Sequence, residues 1–200
     1  MKFNEINFNN ISATEYKKNL LIKYGDDKDF LHVQTEWLQL TQYGVPREDK
    51  FHTTEKQRQY IQLPLNDEAF SNFIKELDKY FSSDKFKQKY LTTKQQSYSY
   101  TPIYKEGNEK YPPSIKIKML VDDKDNILTE FFHVVDDNNV KKYVINMDNV
   151  KDVFPYMCEY RIIFKVSKIW FMSNNYGVKL QLTKAQIKPT TKPTIDVDFV

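Results

Sequence analysis

Along much of the chain, apolar residues recur at every second position. Ile115, Ile117, Met119 and Val121 alternate with Lys116 and Lys118, which predicts a strand with one buried and one basic face. Cys158 to Met172 sets Tyr160, Ile162, Phe164 and Val166 inward against Arg161, Lys165 and Ser167, with Ile163 as the exception. Val178, Leu180 and Leu182 then alternate with Lys179, Gln181 and Thr183 until Pro189. Between these two strands, Ser173-Asn174-Asn175-Tyr176-Gly177 reads as a turn, because several of its residues accept left-handed backbone. Ile127–Val135 and Val140–Ile145 add two strands bounded by acidic, Asn-containing turns, and Tyr98 and Tyr100 share the two-residue period. Nearer the start, Leu20–Tyr24 and Phe30–Tyr43 predict strands joined at Gly25-Asp26-Asp27, and Tyr60–Leu65 a short third element.

One segment changes period. Phe70, Phe73, Ile74, Leu77, Tyr80 and Phe81 form a single helical stripe, so a helix is expected over about 67–82. Asn66 is its expected N-cap, with Leu65 and Phe70 as a hydrophobic staple. Phe86–Leu91 predicts a second, shorter helical piece. Many short strands with one plugging helix point to a β-rich α+β protein, an OB-like Greek-key β-barrel with extensions.

No repeat or Pro/Gly-rich linker divides the 200 residues. The first nineteen residues carry five Asn and little periodicity, so 1–19 is expected as a partly ordered lead-in, with structure beginning near Leu20. A single nucleic-acid-binding domain is expected over 20–188. Residues 189–200, rich in Pro and ending on Asp196, Asp198 and Phe199, are expected as a mobile acidic and aromatic tail with a partner-binding role.

Composition sharpens this picture. Fourteen Tyr and fourteen Phe against four Gly favour half-buried pleated surfaces. Cys158 is the single cysteine, which excludes an intrachain disulfide and a multi-cysteine zinc site, and the absence of a signal-like apolar region leads to an intracellular expectation. A net charge of +3 says little until it is divided. Residues 84–119 hold eight Lys against three acids and 158–192 seven Lys or Arg against one, whereas 120–157 hold eight acids against four Lys. Such segregation can focus a polyanion on one part of the surface.

Catalytic signatures are missing. His32, His52 and His133 are scattered, no HExxH or phosphate-cradling glycine loop occurs, and no cofactor is expected. Asp122, Asp123 and Asp125 with Asp136 or Asp137 could share a divalent metal, yet both groups sit at expected turns and lack the EF-hand order. Cys158 near Lys151 or Arg161 is read either as a reactive thiol or as a small buried apolar residue.

What recurs is aromatic residues interleaved with cations on strands. Candidate nucleic-acid contacts are Tyr98, Tyr100, Lys116, Lys118, Arg161, Lys165, Lys168, Trp170, Tyr176 and Lys179. Cations track phosphates, and ring faces stack on any base. Trp37 and Trp170 fit core or groove equally well.

In order, Leu31-His32-Val33-Gln34-Thr35 with Tyr43-Gly44-Val45-Pro46, Ile61-Gln62-Leu63-Pro64-Leu65, Pro112-Pro113-Ser114-Ile115-Lys116-Ile117-Lys118, and Lys168-Ile169-Trp170-Phe171 with Tyr176-Gly177-Val178-Lys179 form a set of landmarks. Together they resemble the single-stranded DNA-binding proteins of nucleocytoplasmic large DNA viruses, the group that includes African swine fever virus and the giant amoebal viruses. The resemblance implies an OB-fold core, a preference for single-stranded DNA, and service in viral genome replication, recombination or repair in the host cytoplasm. The tail also resembles those of bacterial and phage single-strand binders and implies replication proteins as partners. Two other readings stand beside this one: a protein-interaction or virion structural module, and a metal-dependent nuclease.

Overall fold

The computed structural model of the chain describes residues 1–26, 29–136 and 139–188. Asp196, Asp198 and Phe199, and Asp137, lie outside the described residues.

Structure begins well before Leu20. Two 3₁₀ turns, Phe3–Glu5 and Phe8–Asn10, lead into β1 (Ile11–Tyr16), which pairs antiparallel with β2 (Asn19–Tyr24). Phe3 anchors this segment, with its ring 5.6 Å from both Phe70 and Phe73. The long strand expected over Phe30–Tyr43 is two pieces, β3 (Leu31–Gln34) and β4 (Leu38–Gln39). Buried Thr35 bridges the break, its amide donating to Ile162 O and its hydroxyl accepting from Ile162 N, each at 3.0 Å. Both pieces thus stay on one neighbouring strand while Trp37 turns outward.

α1 (Glu55–Arg58) and β5 (Tyr60–Pro64) precede α2 (Glu68–Ser82). The N-cap of α2 is Asp67 rather than Asn66: its carboxylate accepts from Phe70 N at 2.7 Å, and Asn66 instead donates to Thr41. The Leu65–Phe70 staple is therefore out by one position, although both side chains are buried. Phe70, Phe73, Ile74, Leu77 and Phe81 face the core, and Phe70 meets Phe164 edge-on at 6.3 Å. Full burial of each such side chain contributes about 1.5–3 kcal/mol. Ser83 closes α2 and caps α3 (Asp84–Tyr90), and α4 (Thr93–Gln96) follows.

The remaining strands are β6 (Ser99–Thr101), β7 (Ser114–Met119), β8 (Glu130–Asp136) and β9 (Asn139–Tyr143); after α5 (Val150–Val153) come β10 (Glu159–Met172) and β11 (Asn175–Lys188). The β10–β11 hairpin is the spine of a large mixed sheet. From tip to base, the free edge of β10 receives β2, β3 and β4, all antiparallel. The free edge of β11 receives β6, β7 and β8, all parallel. Thr129 secures the approach to β8, accepting from Leu120 N at 2.8 Å and donating to Leu182 O at 2.7 Å.

The pairing path β1-β2-β10-β11-β7-β5 is open, and among the described residues no ladder returns from β5 to β1. The architecture shown is thus a β-rich α+β fold with a large mixed sheet and a few helices. One apolar cluster, running from Phe3 to Ile187, fills the space between α2 and the sheet.

Candidate nucleic-acid interface

The hairpin turn fixes which side chains reach the outer surface. Only Ser173 and Asn174 form it, both with positive φ (48° and 61°), the two-residue turn whose twist matches the right-handed twist of the flanking strands. Asn175 is already in β11, so Tyr176 and Gly177 are strand residues opposite Phe171 and Trp170. This corrects the five-residue turn expected from the sequence and has a direct result for Tyr176. Its ring is fully buried against Tyr100 at 5.2 Å, and its hydroxyl donates to Phe81 O at 2.9 Å. Burial pushes that hydroxyl's pKa up to about 12. Tyr176 therefore offers no ring face to a ligand.

Tyr100 also turns inward. Its hydroxyl donates to Asp78 Oδ1 at 2.6 Å, where burial first and the Asp78 charge second push its pKa far up. Tyr98 packs edge-on to Phe171, 6.4 Å away, beside a separate depression near Tyr90. The structure separates these three tyrosines from the cations with which the sequence groups them.

The cations themselves converge. Lys116 and Lys118 point out from β7, Lys168 from β10 and Lys179 from β11, and together with Trp170, Phe171 and Tyr60 they line a groove of about 880 Å³. Lys168 and Lys179 also line an adjoining depression of about 370 Å³ with Lys165, Phe30 and Tyr16. Among the described residues, none of Lys116, Lys118, Lys165, Lys168 and Lys179 is ion-paired. Burial, and then the charges of Lys168, Lys118 and Lys165, hold Lys179 below the ordinary lysine pKa. Burial followed by the Lys23 charge does the same to Lys165. An anion placed among them would offset their mutual repulsion and compensate for the hydration they have lost. By contrast, cations toward the hairpin base are neutralised: Lys184 and Lys142 by Glu130, and Lys188 by Glu159.

Trp170 lies over Gly177, its cross-strand partner. A Cβ on Gly177 would come within 2.6 Å of Trp170 Cζ2, so only glycine there lets the indole lie on the strand. The ring is half-buried, leaving area on the groove side.

Several groove residues escape sequence reasoning. Tyr60 stands under Lys116 Nζ, 4.7 Å from its centroid, with its hydroxyl accepting from that Nζ at 3.3 Å. Phe30 lies beneath both Lys23 and Lys165, at 4.0 and 4.4 Å. No local pattern signals the pairing of Tyr60 with Lys116 or of Phe30 with Lys165, since those partners lie on strands distant in sequence. Arg161 stands apart from the lysines, toward the hairpin base, with its guanidinium 5.0 Å from the Trp37 ring. Lys188 reaches the same ring at 4.4 Å, which places Trp37 at the surface rather than in the core.

Of the candidate metal ligands, Asp122 has another use. Asp122 accepts from Lys124 N, Asn126 N and Asn126 Nδ2, an arrangement that closes its own turn. Among the described residues, no group of three His, Cys, Asp or Glu is placed to hold a metal ion. Cys158 is fully buried, and burial pushes its thiol up to about 12, so it is not a thiolate at neutral pH.

No family model matches the chain. Over 69% of its length it is 24% identical to the uncharacterized protein R505 of Acanthamoeba polyphaga mimivirus, of which it covers 44%. The chain therefore spans less than half the length of that curated relative. Among solved structures it is similar to the single-stranded DNA-binding protein from bacteriophage Enc34, with 10% identity and a TM-score of 0.45 over 95% of this chain and 96% of that one. The same phage protein in complex with single-stranded DNA gives a TM-score of 0.46 at 10% identity, covering 92% and 97%.

Proposed function

We propose that this chain binds single-stranded DNA with little sequence preference, along the outer face of β10 and β11, and performs no reaction on it. The observation that carries this reading is the meeting of unpaired Lys116, Lys118, Lys168 and Lys179 with the exposed face of Trp170 in one groove. Unpaired cations track a phosphate backbone, and a fixed indole stacks on any base. The reading includes an OB-like organisation of the sheet, supported by the strand-groove placement of these residues. A role in viral genome replication, recombination or repair in the host cytoplasm is part of the proposal. The role is supported by the sequence landmarks, and the viral setting by the likeness to a mimivirus protein.

Fluorescence polarisation with labelled oligo-dT, duplex DNA and RNA, with and without Mg²⁺ and followed on a gel, tests it. Oligo-dT should bind more tightly than duplex and remain intact. If Lys116, Lys118, Lys165, Lys168 and Lys179 each meet a phosphate, log Kobs should fall against log salt with a slope of about −3.5, at about −0.7 per contact. A flat salt response, or the absence of oligonucleotide binding, would favour an interaction or structural module instead, and Mg²⁺-dependent cleavage would favour a nuclease.

A further inference from the structure

Beyond the lysine groove, toward the base of the hairpin, a depression of about 320 Å³ is lined by Gln34, Phe132, Val140, Arg161, Ile163, Lys184 and Gln186. We propose that this depression is a guanine-selective nucleobase pocket at one end of the DNA track, a proposal that rests on the single-strand-binding reading above.

Arg161 is held unusually well for a surface arginine. Gln186 stands directly across from it on β11, and Gln186 Oε1 accepts from both Arg161 Nε, at 3.0 Å, and Nη2. The Trp37 ring backs the guanidinium at 5.0 Å. Nε–H and one Nη2–H lie along the same edge of the guanidinium plane and are both spent on Gln186. The other edge, with Nη1–H and the second Nη2–H, has no partner among the described residues. It presents two parallel donors in a fixed plane.

Gln186 adds to this polarity. Arginine only donates, so Oε1 of Gln186 must face it, and the Nε2 amino group is left pointing away as a further donor. The polar edge formed by Arg161 and Gln186 is therefore made of donors, with its carbonyl acceptor consumed.

Two features argue for a base here rather than a phosphate. Lys184 is paired with Glu130 at 3.2 Å, so Arg161 is the one cation lining the depression, among the described residues, without a carboxylate partner. Phe132, Val140 and Ile163 supply apolar walls, which suit a flat heterocycle and not a hydrated anion. The volume falls at the lower end of small-ligand sites, which begin at about 300 Å³.

A donor-only edge selects among the four bases. Guanine shows two adjacent acceptors, O6 and N7, which match the free guanidinium fork. Adenine would bring an amino donor beside N7, thymine offers each carbonyl without an adjacent second acceptor, and cytosine has an adjacent pair, N3 and O2, only on a single small ring that covers less of the apolar walls than a purine. From Trp170 to Arg161 the strand runs roughly 30 Å at about 3.3 Å per residue, so a short oligonucleotide reaches both ends. Because the lysine groove holds any sequence, a strand can slide until a guanine finds the pocket.

The test compares dT15 with dT15 carrying one central dG, dA, dC or 7-deaza-dG, by competition polarisation. One dG should raise affinity about tenfold, the scale of a single bidentate arginine–guanine pair. Neither dA, dC nor 7-deaza-dG, which lacks the N7 acceptor, should match it. Arg161→Lys keeps the charge and loses the fork, and should bring the dG-to-dT ratio to about one whatever it does to dT15 binding. Should dT15 bind normally while dG gives no gain, or 7-deaza-dG gain as much as dG, or Arg161→Lys keep the preference, the guanine pocket is overturned and the lysine groove stands. Absence of any oligonucleotide binding would remove both.

Discussion

Trp170→Ala is expected to weaken oligo-dT binding by about 5- to 150-fold, since stacking of one base on an aromatic ring is worth about 1–3 kcal/mol and about 1.4 kcal/mol is tenfold. The indole is half-buried over a glycine, so the loss should fall on binding more than on folding. Gly177→Ala approaches the same ring from beneath. The alanine Cβ would be 2.6 Å from Trp170 Cζ2, and the indole must leave the strand. This variant should also lose affinity, by less than Trp170→Ala, while its near-UV circular dichroism shows the displaced tryptophan. Titrations in which Trp170→Ala binds oligo-dT like the wild type would take the indole out of the interface.

Asp78→Ala is expected to destabilise the fold by about 3–5 kcal/mol, since each buried donor left without its acceptor costs about 1–3 kcal/mol. Asp78 lies on the buried side of α2 at 9% exposure. Its Oδ1 accepts from Tyr100 OH and Ile103 N at 2.6 and 2.9 Å, and its Oδ2 from Tyr104 N at 2.9 Å. Alanine leaves three donors without an acceptor in the space between α2 and β6. At about 2–4 °C per kcal/mol for a chain of this size, the melting temperature should fall on the order of 10 °C. Asp78→Asn should lie between, because its carbonyl can serve Tyr100 and Ile103 while its amino group faces the Tyr104 amide. A scan in which Asp78→Ala melts within about 2 °C of wild type would show that water replaces the carboxylate.

Asp78 also shows what the sequence discloses and where it stops. The helical stripe of α2 is plain from its spacing, and Ile74, Leu77, Asp78 and Phe81 follow one another on it. An acid on an apolar stripe is a signal of a buried carboxylate, but its three donors lie more than twenty residues away and leave no local mark. The strands β7, β10 and β11 are legible because each keeps one face in the core, β7 by clean alternation and β10 and β11 by alternation interrupted at the register shifts Ile163/Phe164 and Val166/Lys168. Their order is not: the parallel seating of β6, β7 and β8 on β11 depends on long connections that alternation does not encode.

The N-terminal segment was hidden for a related reason. Phe3 gains its burial from Phe70 and Phe73, so its neighbours in sequence look like a polar lead-in. In the interface, Lys116, Lys118 and Lys165 could be read from strand alternation, whereas Lys168 joins the face of Lys165 only through the register shift between Val166 and Lys168. The aromatics could not. A hairpin turn shorter than expected moved Tyr176 into the core, and Tyr60, Phe30 and Trp37 reach the surface cations only through tertiary pairing.

Photo-crosslinking tests the placement of the DNA most directly. The chain would be bound to dT15 containing 5-iodouracil at successive positions and irradiated, and the crosslinked peptides would be sequenced by mass spectrometry. Crosslinks are expected on Tyr60, Trp170 and Phe171, with Phe30 joining them as the iodouracil moves along the strand. A saturable complex whose crosslinks fall only on the α2–α3 surface or around Tyr90 and Tyr98, sparing β5 and the β10–β11 tip, would contradict it.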